Sequence, residues 1–434
     1  MTVSYPDSVP GDYLGVAFPP TIEKLREQGA EFLTNAFRAA GSIASTNRVL
    51  QVREATEFYG GGMGRKLLLE VAYAEPAPHL HTRLFVKFQR DFGDPLRELF
   101  GPLMASEVRL ALLSRREGFP ITVPKCYFAD YDAASTSGIL ITERIAYGTA
   151  NIERCHEKCV DYELPRPFEH YQALTCAVAR LAGAHKAGKF GTEVEEAFPF
   201  DPEAIDVGAR IPYTPEQLTQ KVEKLRRFSE VAPQLLPAEL RSADFLAAFA
   251  EEVQLVLEHE LAIRHYLNHD PRYIALCHWN LNVDNSWFWS DERGLHAGLL
   301  DWGSVGQMCV AQALYGLTCS AEGPFLNAHR GDLLDLFVSE YAASGGPRLD
   351  VGELGFLYKL SVAVLGIAWI LDAPTLVETQ IADFKQLEGR RDPKLRNDFL
   401  ARAQLQILTV MLNEWLHFGV GTALRRFARE LGRP

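Results

Sequence analysis

The stretch CHWNLNVDNSWFWSDERGLHAGLLDWG, Cys277 to Gly303, concentrates side chains that could do chemistry. Asn285 stands immediately before one short apolar run, Ser286 to Trp289, and Asp301 immediately after another, Leu295 to Leu300, with SDERG between them. Two such runs joined by a tight turn read as a hairpin, and antiparallel pairing brings the start of the first strand beside the end of the second. Asn285 and Asp301, 16 positions apart, are therefore expected side by side. A carboxylate and an amide oxygen at one rim suit a hard cation such as Mg2+, which takes a few oxygen ligands and keeps the rest for substrate phosphates.

A complementary set lies upstream. Gly60, Gly61, Gly62 and Gly64 fall at a strand–turn–strand tip, where the missing Cβ lets backbone N–H groups approach phosphate oxygens. Lys87 sits within LFVKFQ, an apolar strand in which a lone ammonium is costly without a partner charge. Glu107, 20 residues further on in a helical pattern and flanked by Met104, Val108 and Leu112, is the expected partner.

A phosphate loop, a buried lysine, a helical glutamate, a polar loop and a metal carboxylate follow in that order. The order resembles the kinase-like phosphotransferases, specifically the aminoglycoside phosphotransferase and choline kinase superfamily, over about residues 49 to 320. The family's loop reads His-Gly-Asp, four residues, Asn, then a hairpin and Asp-Trp or Asp-Phe. Here His278 matches the His, Asn285 the Asn, and Asp301-Trp302-Gly303 the metal-binding triplet. The resemblance implies ATP and Mg2+ as cofactors and a small-molecule hydroxyl as phosphoryl acceptor. It implies that Gly60 to Gly64 cover the phosphates, that Lys87 and Glu107 orient them, and that the backbone of Glu143 and Ile145, in GILITERI, holds adenine. The acceptor would lie under the helices between Thr192 and His269.

One position departs from the pattern. The family's catalytic aspartate falls at Asn280, with Trp279 in place of the usual Gly. A carboxamide has no useful basicity and cannot take a proton from an attacking hydroxyl. Three readings follow: an enzyme whose acceptor needs little base help, since positioning and electrostatics dominate phosphoryl transfer; an enzyme in which Asp284 lends its carboxylate; or a nucleotide-binding pseudokinase with a regulatory or scaffolding role.

The surrounding elements fit a frame of two lobes. Alternating runs at Val49–Tyr59, Arg65–Ala74, Arg83–Gln89, 125–132 and Gly138–Ile145 read as strands, with a helix over 96–118. Thr21–Gly41 has helical spacing, and from about Phe168 onward the pattern is helical, ending in one long helix over 397–432. The expected fold is α+β, bilobal and protein-kinase-like, with a small antiparallel-sheet N-lobe and a large, mostly helical C-lobe. The expected boundaries are a helical arm over 1–45, a nucleotide-binding lobe over 46–145 and a C-lobe over 146–434.

Composition narrows the setting. The 434 residues carry 44 basic and 56 acidic side chains, a net charge of −12, which disfavours nucleic acid and anionic membranes as partners. No basic-then-apolar start resembles a signal peptide, and the apolar stretch Ser361–Leu371 is too short to cross a bilayer. The seven cysteines are irregularly spaced, as reduced thiols of a cytoplasmic protein would be. Cys155 and Cys159 beside His156 read as free thiols, since no second pair completes a zinc motif. His185 reads as a packing residue, Trp287, Trp289 and Trp302 as packing aromatics, and Glu251, Glu252, Glu258 and Glu260 as a solvated helix face.

Overall fold

The computed structural model describes residues 6–59, 64–202 and 210–431. The chain is α+β and divides into two compact units: the first comprises 1–149, 196–198 and 298–305, the second the remainder.

The first unit is built on β1 (Val49–Phe58), β2 (Arg65–Tyr73), β3 (Arg83–Phe88), β4 (Cys126–Asp132) and β5 (Ser137–Glu143), with α1 (Ile22–Ala39) and α2 (Arg97–Leu113). The strands form one five-stranded sheet in the order β1-β2-β3-β5-β4, with antiparallel pairing throughout. Period-two alternation decides which side chain faces which helix. Leu67, Leu69 and Val71 of β2, Leu84, Val86 and Phe88 of β3, and Ile139 and Ile141 of β5 share a core with Ile22, Leu25, Phe32, Leu33 and Phe37 of α1. Leu140, Ala129 and Tyr131 join Met104, Ala105 and Val108 of α2 in a separate cluster. Lys87 lies between Val86 and Phe88 and pairs in register with Leu140, so it belongs to the α2 side of the sheet.

The helical arm is thus part of the first unit's core. Thr21 caps α1, its hydroxyl accepting the Lys24 N–H at 3.3 Å. The expected unbroken helix is interrupted at Gly29, whose φ of 50° and ψ of −131° are non-helical.

The second unit carries α3 (Pro167–Lys186), α4 (Glu193–Ala197, which runs across the boundary), α5 (Pro215–Val231) and α6 (Ala243–Asn268). Then come β6 (Ile274–His278), β7 (Ser286–Asp291), and β8 (Gly294–Leu299) and β9 (Val305–Cys309), which also run across the boundary. They are followed by α7 (Val310–Thr318), α8 (Gly323–Ala343), α9 (Val351–Trp369), α10 (Ala373–Gln380), α11 (Pro393–Asn397), α12 (Phe399–Asn413) and α13 (Val420–Leu431). β7 pairs with β8 as the hairpin expected from the sequence, and β6 pairs with β9.

Close packing explains several glycines. A Cβ on Gly183 of α3 would meet the Tyr341 carbonyl oxygen of α8 at 2.5 Å, and one on Gly366 of α9 would meet the Met411 sulfur of α12 at 2.4 Å. α9 is long and apolar enough by length and composition to cross a membrane, with a mean hydropathy of 1.6 over its most apolar window, which corrects the sequence estimate. It is a core helix here: that window is 72% buried.

Two further expectations are corrected. The long C-terminal helix breaks into α12, a π-helical turn at Glu414–Phe418 and α13, because Gly419 adopts a left-handed φ of 75°. Glu252 and Glu260 are buried, unlike the exposed Glu251 and Glu258. They share the α6 face of Phe249, Val253 and Val256 and meet partners there. Glu252 accepts from Trp415 Nε1 at 2.6 Å and pairs with Arg425, while Glu260 pairs with Arg264 and Arg210, each at 2.9 Å.

Candidate functional site

In the first unit three charged side chains converge. Lys87 Nζ lies 2.6 Å from Glu107 Oε2 and 2.7 Å from Asp301 Oδ1. The lysine and glutamate side chains are 5% and 7% exposed, that of Asp301 39%. β3 delivers the lysine and α2 the glutamate, while Asp301 arrives on the returning segment 298–305, whose turn Trp302–Ser304 packs on α2. The pairing of Lys87 with Glu107 inferred from spacing is present, with Asp301 added to it.

Burial works against the Lys87 charge, but Asp301 and Glu107 outweigh it and hold the ammonium above the ordinary lysine value. Burial pushes Glu107 above the usual carboxylate range and Asp301 adds to the rise, while Lys87 opposes it. Lys66 stands opposite Lys87 in the β2–β3 register. Burial, then the like charge of Lys87, draw its pKa down. Asp301 adopts a left-handed backbone, φ 60° and ψ 60°, a conformation that costs a non-glycine residue energy and is often retained at functional sites.

Of the glycine tip, Gly60, Gly61 and Gly62 lie outside the described residues. Gly64 has φ 66°, and a Cβ there would meet the Phe88 carbonyl oxygen at 2.0 Å, so sheet packing alone requires glycine at that position. Glu143 ends β5. Its N–H donates to the Lys125 carbonyl and its carboxylate accepts the Lys125 N–H, both at 2.9 Å. Its own carbonyl accepts the Thr142 hydroxyl at 3.1 Å. Ile145, just beyond, is half-buried.

In the second unit β6 leads into the polar loop. His278 is fully buried, and its Nδ1 accepts the Asn280 N–H at 3.2 Å. Asn285 Nδ2 donates to the Asn280 carbonyl at 2.7 Å, which fixes the amide with its nitrogen turned into the loop and its oxygen on the other side. Asn282 Nδ2 donates to the Gly316 carbonyl at 2.5 Å. α7 can come this close because position 316 has no side chain: a Cβ there would fall 1.4 Å from the Trp279 carbonyl oxygen.

Sequence reasoning missed Lys158. Its ammonium donates to Asn280 Oδ1 at 3.2 Å and to Asn282 Oδ1, and lies 3.6 Å from Asp284 Oδ1. Burial disfavours the charge, but Asp284 together with the other acidic groups around it, Asp161 among them, raises the lysine pKa above its ordinary value. Nothing in CHEKCVDYE marks this residue, because the segment has no periodicity. Nearby, Asp161 is fully enclosed, with Oδ2 accepting from Tyr171 Oη at 2.5 Å. Burial raises its pKa to about 7.

His156 does not form a corner with Cys155, which is exposed, or Cys159, which is buried. It shares Glu153 Oε2 with His170, at 2.9 and 2.7 Å. These are hydrogen-bond separations, shorter than the about 3.3 Å that tetrahedral zinc would impose on an N/O ligand pair. His185 is a packing residue whose Nδ1 accepts the Leu276 N–H at 3.3 Å.

The candidate residues fall into two sets: Lys87, Glu107, Glu143, Ile145, Gly64 and Asp301 in the first unit, and Asn280, Asp284 and Asn285 in the second. Among the known proteins compared, no family model matches the chain and no curated protein does. Among solved structures it is similar to the choline kinase of Cryptosporidium parvum Iowa II, at 12% identity and a TM-score of 0.40, covering 92% of this chain and 96% of that one. It is also similar to a microcompartment-associated aminopropanol kinase, at 12% identity and a TM-score of 0.41 over 89% and 98% of the two chains. A third is spectinomycin phosphotransferase, solved with ADP and spectinomycin, at 13% identity and a TM-score of 0.37 over 82% and 94%. These three solved structures are of two small-molecule kinases and a phosphotransferase.

Proposed function

We propose that the chain is a kinase-like phosphotransferase that moves the γ-phosphoryl group of ATP, with Mg2+, to an oxygen of a small-molecule acceptor. The observation that carries this reading is the Lys87 ammonium, buried in a strand and bracketed by Glu107 and Asp301. A lysine kept charged in this way is a ready partner for a polyphosphate, which can take over the contact with the more exposed Asp301 while Glu107 keeps its own.

The donor chemistry fits a hard cation. In the first unit Asp301 would offer Mg2+ a partly exposed carboxylate, and the ion would neutralise phosphate charge. In the second unit Asn285 presents the amide oxygen left over when its nitrogen binds the Asn280 carbonyl. The chain's own residues do the rest: Lys87 orients the phosphates, the backbone of Glu143 and Ile145 holds the base, and Asn280 hydrogen-bonds the acceptor. The rival reading, a nucleotide-binding pseudokinase, is favoured by one observation, the carboxamide at position 280.

The test is direct. The enzyme reading expects a thermal shift with ATP–Mg2+ and ADP release with an acceptor, the release abolished by Asp301→Ala. A shift without ADP release from any acceptor favours the pseudokinase, and no shift at all refutes both.

A further inference from the structure

The polar loop of the second unit holds one carboxylate, Asp284, and that carboxylate stands against an ammonium. The Asn280 amide is not basic. Lys158 beside it is an ammonium, which the surrounding acidic groups favour against the effect of burial, and has no lone pair. Asp284, the loop's carboxylate, lies 3.6 Å from that ammonium. His278 is fully buried, and its Nδ1 is occupied by the Asn280 N–H. Asp161 is enclosed and bound to Tyr171.

A hydroxyl that attacked here would find only a carboxylate already paired with an ammonium to take its proton. The charge at the loop has moved in the opposite sense as well. A carboxamide stands where the resembled family carries a carboxylate, and an ammonium touches that carboxamide at 3.2 Å. Where an aspartate would repel an anion, Asn280 with Lys158 behind it does not.

We infer that the acceptor presents an oxygen that is already ionised, a carboxylate or a phosphate monoester, and that Lys158 is the positioning residue that sets the charge of this subsite. The inference rests on the phosphotransferase reading and names its acceptor class. The anionic oxygen attacks the γ-phosphorus and forms the new P–O bond. The bond from that phosphorus to the bridging oxygen breaks, its electron pair leaves with ADP, and no proton changes hands. A carboxylate yields an acyl phosphate, a phosphate monoester a phosphoanhydride.

The experiment uses the full chain with ATP–Mg2+ and three acceptor panels. Carboxylates are read by hydroxylamine trapping, phosphate monoesters by phosphorus NMR, and alcohols by ADP release. One anionic class is expected to exceed alcohols in kcat/KM by at least about 100-fold, the scale of missing base assistance. Its rate should be flat from about pH 6.5 to about pH 8 if the acceptor is a carboxylate, already ionised throughout. Lys158→Met should raise the KM for the anion and leave the KM for ATP unchanged, with Lys158→Arg restoring it. N280D alone should gain nothing on alcohols, because its carboxylate would pair with Lys158. The double variant N280D/K158M should gain alcohol activity with the pH profile of a base.

Three results overturn the inference and leave the nucleotide site standing: alcohols preferred over both anions, a large gain on alcohols by N280D alone, or ATP–Mg2+ binding with no turnover of either anion. Failure to bind ATP–Mg2+ at all overturns the phosphotransferase reading itself.

Discussion

Replacing Lys87 with Met removes the cation from between two carboxylates and keeps most of its volume. At 2.6 and 2.7 Å each contact is worth about 6 kcal/mol of gross attraction at an effective dielectric near 20, most of it offset by desolvation. Breaking a buried pair by removing one partner typically costs about 3–5 kcal/mol. The cost should depend on pH, because the two carboxylates left behind differ. Asp301, 39% exposed, can rehydrate, whereas Glu107, 7% exposed, can escape only by taking up a proton. Glu107 is already raised above its ordinary value by burial, and losing Lys87 raises it further. A folded-state carboxyl pKa above the unfolded one means that stability is present at low pH and lost as pH climbs through the folded value. The loss in K87M is therefore expected to be smaller near pH 5.5 than near pH 8, where it should reach about 4 kcal/mol. K87M/E107Q should recover most of it while still failing to bind ATP–Mg2+. Urea-dependent hydrogen exchange of the β3 and α2 amides reads the first unit alone. A loss that is the same at both pH values, or a double variant no more stable than K87M, would refute the reasoning.

Other outcomes follow from single groups. Asp161, with a folded pKa raised from 3.8 to about 7 by burial, makes the protein lose stability as pH rises from about 4 through 7. The full span is about 4 kcal/mol, and Asp161→Asn should flatten that part of the profile in urea titrations. Gly316→Ala would drive a methyl into the Trp279 carbonyl, so a drop of at least about 2 kcal/mol is expected, with weakened protection of the β6 amides in hydrogen exchange. Gly419→Ala forces a side chain into a left-handed turn with no neighbour in the way. It should cost only about 1 kcal/mol, a small fall in melting temperature.

The sheet unit was legible because alternation carries information. Alternation puts Lys87 on the face opposite Val86 and Phe88, and Glu107 stands on the helix expected next in the chain. The hairpin after Asn285 was legible for the same reason. Lys158 was not, since a lysine among cysteines and acids looks like surface, and only the fold brings it to Asn280. Glu252 and Glu260 were misread because their partners, Trp415, Arg425 and Arg210, are distant in sequence. β6 and β9, five residues each, are too short to show a period.

The first unit takes in the eight residues 298–305, which the chain supplies only after about half of the second unit has been made. During synthesis Lys87 can therefore meet Glu107 early, but must wait for Asp301 until some 200 further residues have been translated. A fragment ending near residue 149 lacks the third charge of the triad, and a circular permutant that begins at the β7–β8 turn would supply it first.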